Sequence, residues 1–238
     1  MSTAPLSDET RSLLAQLSTA TLTSQLMARG LRNTFMQGVR RLTTGGPSMV
    51  GEAFTLRYIP SREDIDVSAV FEDRNHPQRK AVETVPPGHV MVIDCRQDNR
   101  AAGAGSILVT RMMVRGAAGV VTDGGLRDSP TIAELDFPVY CAGPAAPSNI
   151  TRHHAVDINV PIGCGEVPVY PGDIIVGDRE GVVVIPRHLA DQVARDGHEQ
   201  SLMEDFVTER VMAGESIFGL YPANAESIER FKAWRQGR

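Results

Sequence analysis

The stretch "GAGSILVTRMMVRGAAGVVTDGGLRDSP", residues 103–130, decides how the rest of the chain is read. Its segment 106–116 mixes apolar and basic residues in a way that predicts a helix, and "AGVVTDG" (118–124) follows directly as a strand. Upstream, "GHVMVIDC" (88–95) reads as another strand bounded by Gly and Pro, so strand, helix and strand form one β-α-β unit. Past the second strand the chain enters a Gly-softened turn that carries Arg127 and Asp128 side by side. The carboxyl ends of strands are where α/β proteins commonly bind ligands, which makes this turn the first place to look for chemistry.

Outward from this unit, leucines at 13, 14, 17, 22 and 26 predict a helix over 8–29 closed by Gly30, and "GEAFTLRYIP" (51–60) predicts a strand. The middle of the polar connection, 75–84, reads as helical. A short helix over 130–135 leads to a strand at 138–143, and then "AVDINVPIG", "EVPVYPGDIIVGD" and "GVVVIP" give strands and turns. A long helix over 187–212 and a mostly helical tail with the single Trp234 close the chain. The expectation is an α/β core with a mixed sheet, in one domain spanning 1–238 with an N-terminal helix and a C-terminal helical extension.

Composition narrows the function classes. With 42% hydrophobic and 22% charged residues the chain reads as globular, and no apolar run reaches the 18 residues that a membrane helix needs. The first residues lack a secretory pattern, so a cytoplasmic location and no membrane partner are expected. A net charge of −5 without a basic stripe argues against nucleic acid. Cys95, Cys141 and Cys164 are an odd, widely spaced set and read as buried thiols rather than a zinc cluster or a disulfide framework.

Each candidate residue has a plain structural reading beside its chemical one. Asp128 suits an N-cap for a helix starting near Pro130, and equally a hard oxygen ligand for Mg²⁺. Arg127 offers a planar fork for a carboxylate. The glycine-rich entry to the helix, with Gly105 and the N–H groups of Ser106, Ile107 and Leu108, makes a carboxylate cradle at a positive helix end. It lacks the third glycine of a dinucleotide motif and the lysine of a P-loop. His153 and His154 are strand neighbours that point to opposite faces and cannot easily share one ion. Asp123, Asp173 and Asp178 read as turn residues, and Arg57, Arg62, Arg74 and Arg100 as candidates for a substrate's far end.

At "GAAGVVTDGGLRD" the chain resembles the RraA-like family, which includes the 4-hydroxy-4-methyl-2-oxoglutarate aldolases and the ribonuclease E inhibitor protein. The likeness extends through "VPPGHVMVIDC", "NVPIGCGEVPVYPGDIIVGDREGVVVIP" and "AGESIFGLY". It implies an α/β/α swivelling sandwich with a mixed sheet, assembled as trimers or hexamers with the site between subunits. By that resemblance Arg127 binds substrate, Asp128 binds the metal, and Glu204 matches an acidic residue contributed by a neighbouring subunit. The acidic group that aldolase members carry twenty-one positions before the arginine falls on Ser106, a departure that removes negative charge.

The implied function is a divalent-metal-dependent lyase, with Mg²⁺ or Mn²⁺, that cleaves a 4-hydroxy-2-oxo acid to pyruvate and an aldehyde. A 2-keto-3-deoxy sugar acid is the expected substrate, and oxaloacetate decarboxylation the expected side activity. Lys80 and Lys232 are the only lysines and neither is near the Arg127 turn in sequence, which favours a metal over a Schiff base. The alternatives are a non-catalytic regulator that binds an RNA-degrading endonuclease, and a sugar-acid dehydratase.

Overall fold

Residues 5–237 are described by a computed structural model. In chain order they form α1 (Asp8–Gln16), α2 (Thr19–Ala28), β1 (Arg40–Arg41), β2 (Met49–Pro60), α3 (Pro77–Thr84), β3 (His89–Asp94), β4 (Ala102–Ala104), α4 (Ser106–Val114), β5 (Gly119–Thr122) and β6 (Gly125–Leu126). There follow α5 (Ser129–Ala133), β7 (Val139–Cys141), β8 (Gly143–Pro144), β9 (His153–Ile158), β10 (Ile162–Cys164), β11 (Val167–Val169), β12 (Ile174–Gly177), β13 (Val182–Ile185), α6 (Ala190–Met212) and α7 (Ala225–Gln236).

The main sheet runs β1-β7-β5-β3-β2-β12-β13, with β9 added on β2. β2, β3, β5 and β7 are mutually parallel neighbours, as the β-α-β reading requires, while β1, β9, β12 and β13 join antiparallel. Alternation along the strands separates two environments. Val50, Ile174, Val176, Val183 and Ile185 pack under α1, α2 and α6. Phe54, Leu56, Met91, Ile93 and Val120 pack under α3, α4 and α5. Their neighbours Met49, Ala53, Val90, Val92, Val121 and Tyr140 turn to an inner core shared with the β10–β11 hairpin. The result is the mixed-sheet α/β architecture that the sequence implied, with both helical groups on the outer face of the sheet.

Several boundaries differ from expectation, and three of them are informative. The helix read over 8–29 is two helices, because Leu17 takes an extended conformation and Ser18 Oγ accepts the Thr21 N–H at 3.0 Å to start α2. Asp178 reinforces that start by accepting the Thr19 N–H at 2.8 Å, so its turn also anchors a distant helix. The first turn of the 187–212 segment, Arg187–Leu189, is a 3₁₀ turn ahead of α6. Most consequential, the strand read over 118–124 ends at Thr122 and resumes as β6 in a second sheet.

That second sheet, β4-β6-β8, is short and all parallel, and each of its strands follows a strand of the main sheet. It carries the chain past the carboxyl ends of β3, β5 and β7 and lays the start of α4 against the Arg127 turn. Asp123 sits at the break. Its buried carboxylate accepts N–H groups from Cys95 (2.7 Å), Gln97 (3.1 Å) and Gly165 (3.4 Å), tying three loops together. Burial, with Asp94 nearby, pushes its carboxyl up to about 6.

The sign of the resulting pH effect is fixed. An unfolded aspartate titrates near ~3.9, so between that pH and 6 the folded chain holds more protons than the unfolded one. Stability therefore falls as pH rises across this window and levels off above it. Urea midpoints measured from pH 4 to 7 should show Asp123→Asn lacking this segment of the slope, and a carboxyl carbon titration should place Asp123 near 6. A midpoint below pH 4.5 would contradict the assignment.

Candidate functional site

Ala104 carbonyl accepts the Arg127 N–H at 3.1 Å, so β4 and the Arg127 turn are joined backbone to backbone. Gly105 follows as the N-cap of α4, in an extended conformation without a side-chain cap. A Cβ there would lie 2.8 Å from Arg127 Cγ and 3.1 Å from Asp128 Oδ2, so any larger residue would push these two side chains aside. The close approach brings the two site residues directly over the start of α4.

Asp128 precedes α5 with φ 57° and ψ 32°, a left-handed conformation that costs a non-glycine residue energy. It occupies the N-cap position, yet its side chain makes no cap bond to α5. Instead Oδ2 accepts from Ser106 N (3.3 Å) and Ser106 Oγ (3.2 Å) at the head of α4. Arg127 Nε lies 3.8 Å from Asp128 Oδ1, and both side chains are nearly half exposed (48% and 44%). The structure thus brings Arg127, Asp128, Gly105 and Ser106 together.

The cradle is narrower than the sequence suggests. Asp128 takes the Ser106 N–H, leaving the amides of Ile107 and Leu108, which as first-turn groups have no carbonyl within the helix. Ile107 is 83% exposed while Leu108 packs against the core, so the two side chains face opposite sides of this turn. Glu204 is placed elsewhere in the chain: on α6 its carboxylate accepts from Gln200 Nε2 at 2.8 Å and Thr21 Oγ1 at 3.5 Å. Arg57 pairs with Asp157, Arg62 with Asp64 and Arg100 with Asp98, while Arg74 is exposed.

The histidines do face apart. His153 is buried against Tyr58, with Nε2 donating to the Ala101 carbonyl at 3.2 Å, and His154 pairs with Asp66 at 2.7 Å. The three cysteines are free and buried. Among the described residues no group of three or more His, Cys, Asp or Glu side chains forms a cage for a metal ion, so only a cation that keeps most of its water suits this donor set. Asp128 and the Ser106 hydroxyl, both hard oxygen donors on an open surface, meet that description.

A separate cavity of about 890 Å³ lies among Glu52, Phe54, His89, Tyr170, Pro186 and His188 and includes none of the turn residues. Its acidic members are already engaged: Glu52 accepts from Leu6 N and Arg11, and Asp173 from Tyr170 N. The strained, charged turn is therefore the stronger candidate for chemistry. Sequence reading missed the buried residues behind it, Tyr58 and Gln78, because neither sits in a motif.

Comparison with known proteins identifies the family. The family model described as RraA-like, Aldolase/RraA, matches residues 3–184. A candidate 4-hydroxy-4-methyl-2-oxoglutarate aldolase of Halalkalibacterium halodurans is 37% identical over 134 residues, covering 56% of this chain and 63% of that one. Protein DlpA of Legionella pneumophila is 26% identical over 214 residues, 89% of this chain but 33% of its own length. The chain thus spans less than two thirds of either relative.

Among solved structures, Streptomyces coelicolor RraAS2, described as an unusual member of the RNase ES inhibitor RraA protein family, superposes with a TM-score of 0.74 at 29% identity. That match covers 85% of this chain and 97% of that one. An uncharacterized protein from Pseudomonas syringae shares the fold with a TM-score of 0.78 at 24% identity, covering 92% and 99%. With the model matching well over half its length, the chain belongs to the RraA-like, Aldolase/RraA, family.

Proposed function

We propose that the protein is a lyase that releases pyruvate from a 4-hydroxy-2-oxo acid, a 2-keto-3-deoxy sugar acid being the favoured substrate class. The observation that carries this reading is the left-handed Asp128, whose carboxylate is spent on the head of α4 rather than on capping its own helix. Names of relatives as candidate aldolases support the reaction class. Arg127 would clamp the substrate carboxylate through its guanidinium fork, and the Ile107 and Leu108 amides would receive a second oxygen. Asp128, with Ser106, would hold a Mg²⁺ or Mn²⁺ ion. When bound, that ion would supply positive charge against the negative charge that builds on the 2-oxo oxygen as the C3–C4 bond breaks.

The 4-hydroxyl proton needs an acceptor, and Ser106 is not one near neutral pH. Glu204 of a second copy is the proposed acceptor, its carboxylate taking the proton as the aldehyde leaves, and the enolate left behind takes a proton at C3 from that group or from water to become pyruvate. A homo-oligomer, trimer or hexamer, would provide that copy, and the exposed apolar residues Met212 and Phe218 suit buried contacts between subunits. No lysine takes part: Lys232 is paired with Glu229 and Lys80 is on the exposed face of α3. Oxaloacetate decarboxylation is proposed as a side activity, since the same charge develops on the same fragment.

The experiment is pyruvate release from 4-hydroxy-2-oxo acids, 2-keto-3-deoxy sugar acids and oxaloacetate, with Mg²⁺, with Mn²⁺ and with EDTA. Release that EDTA abolishes is the expected result. Silence across the panel would overturn the lyase reading. Ser106 favours one other reading, a regulator that binds an RNA-degrading endonuclease, because a missing acidic residue weakens catalysis without affecting a docking surface. Silence together with endonuclease binding would establish it.

A further inference from the structure

Gly103 lies in β4, two residues before the N-cap of α4, and its carbonyl is held by two buried side chains. Tyr58 Oη donates to it at 2.9 Å and Gln78 Nε2 donates at 2.8 Å, while Gln78 Nε2 also donates to Tyr58 Oη at 2.9 Å. The three groups close a triangle of hydrogen bonds. Tyr58 comes from β2 and is 1% exposed, and Gln78 comes from α3 and is 3% exposed. A third tie to the same segment comes from His153, whose Nε2 donates to the Ala101 carbonyl while its ring lies 5.4 Å from that of Tyr58.

Successive carbonyls of an extended strand point to opposite sides. The Gly103 carbonyl goes to Tyr58 and Gln78, and the next, Ala104, goes to the Arg127 N–H. Residues 103–104 are thus a bridge: one side is bolted to β2 and α3, the other to the Arg127 turn, and the chain continues directly into Gly105 and the Ser106 that bonds Asp128. Gly103 must be glycine for this, because a Cβ would stand 2.8 Å from Cys95 Sγ. Gln78 Oε1 is buried without a hydrogen-bond partner. A buried, unpaired acceptor costs free energy, so the amide is kept for what its N–H groups do.

We propose that Tyr58 and Gln78 are positioning residues for the site: their clamp on the Gly103 carbonyl fixes the orientation of the α4 cradle and of the Arg127–Asp128 turn. This inference rests on the lyase reading above. Neither residue touches the substrate. Their effect reaches the reaction through placement of groups that must be aligned to a fraction of an ångström, so it falls on kcat more than on KM.

The variants are Tyr58→Phe, which keeps the ring against His153, and Gln78→Met, which keeps the length and loses both donors. Each leaves the other donor on Gly103, so each is expected to fold. Either should lower kcat about tenfold with KM within about twofold, and the pair together about fiftyfold or more. Gln78→Glu adds a signature: its carboxyl donates to Gly103 only when protonated, so its rate relative to wild type should recover as pH falls. Unchanged kcat and KM with a lowered melting temperature would show that the clamp only holds the strand, and would overturn the proposal.

Failure of the lyase reading is separable. If the wild-type protein releases no pyruvate and binds no oxalate with Mg²⁺, that reading falls. The clamp is then judged by the amide nitrogen and proton shifts of Ser106, Ile107 and Leu108. Shifts that move in Gln78→Met support the clamp, and shifts that stay put overturn it.

Discussion

For the proposed lyase reaction, Asp128→Asn is expected to lower kcat/KM by about a thousandfold while leaving the fold intact. Placing a cation against developing charge is worth several kcal/mol, and about 4 kcal/mol corresponds to three powers of ten in rate. The turn holds no second carboxylate to take over, since Ser106 is the residue that reaches Asp128. Asparagine is the informative substitution because it tolerates the φ of 57° that position 128 adopts. Asp128→Ala mixes two effects, adding roughly 1–2 kcal/mol of backbone strain to the loss of charge. Turnover of both variants, with Mg²⁺ affinity by calorimetry and melting temperature alongside, separates the contributions. An Asp128→Asn enzyme within tenfold of wild type would remove this carboxylate from the chemistry.

The largest stability effect is expected from Gly51→Ala. Gly51 is in β2, paired with Ile175 of β12, and a Cβ there would stand 2.4 Å from the Gly88 carbonyl oxygen. The same atom would be 3.0 Å from Ala118 Cβ and 3.1 Å from Val90 Cγ2. Gly88 has little room to retreat: its φ is 76°, its N–H is bonded to the Gly116 carbonyl at 2.8 Å, and Arg11 Nη1 reaches its oxygen at 3.5 Å. Overpacking against fixed backbone costs at the upper end of 1–3 kcal/mol or beyond, so a loss of about 3 kcal/mol is expected. For a chain of this size that lowers the melting temperature by roughly 6–12 °C. Gly163→Ala is the control, with nothing within 4 Å of its Cβ and no positive φ, and should stay within about 1 kcal/mol of wild type. A Gly51→Ala protein melting within 2 °C of wild type would show that β2 and β3 separate more easily than their packing implies.

Much of the architecture was legible because its signals are local. The apolar period of 106–116 and the run "GVV" place α4 and β5 within two residues of where they form, and "GVVVIP" does the same for β13. The long helix over 8–29 failed because leucine spacing continued across Ser18. What stops the helix is the cap formed by Ser18 and by Asp178, 159 residues away from Thr19. Where the strand over 118–124 stops was hidden for a related reason. Thr122 and Gly125 are near in sequence, but the partner of each, β3 or β4, is chosen by packing.

The sequence by itself determined the types of the longer elements, the β-α-β order and the presence of Arg127 and Asp128 on one turn, since period, cap and turn chemistry act over a few residues. Only the tertiary structure decided that Asp128 faces Ser106 instead of its own helix, that Glu204 lies on the α2–α6 face, and that Tyr58, Gln78 and Gly103 meet. Those outcomes depend on which surfaces close against each other. A hydrophobic pattern states that a face must be buried without naming its partner, and the partner fixes where every polar side chain at the seam must point.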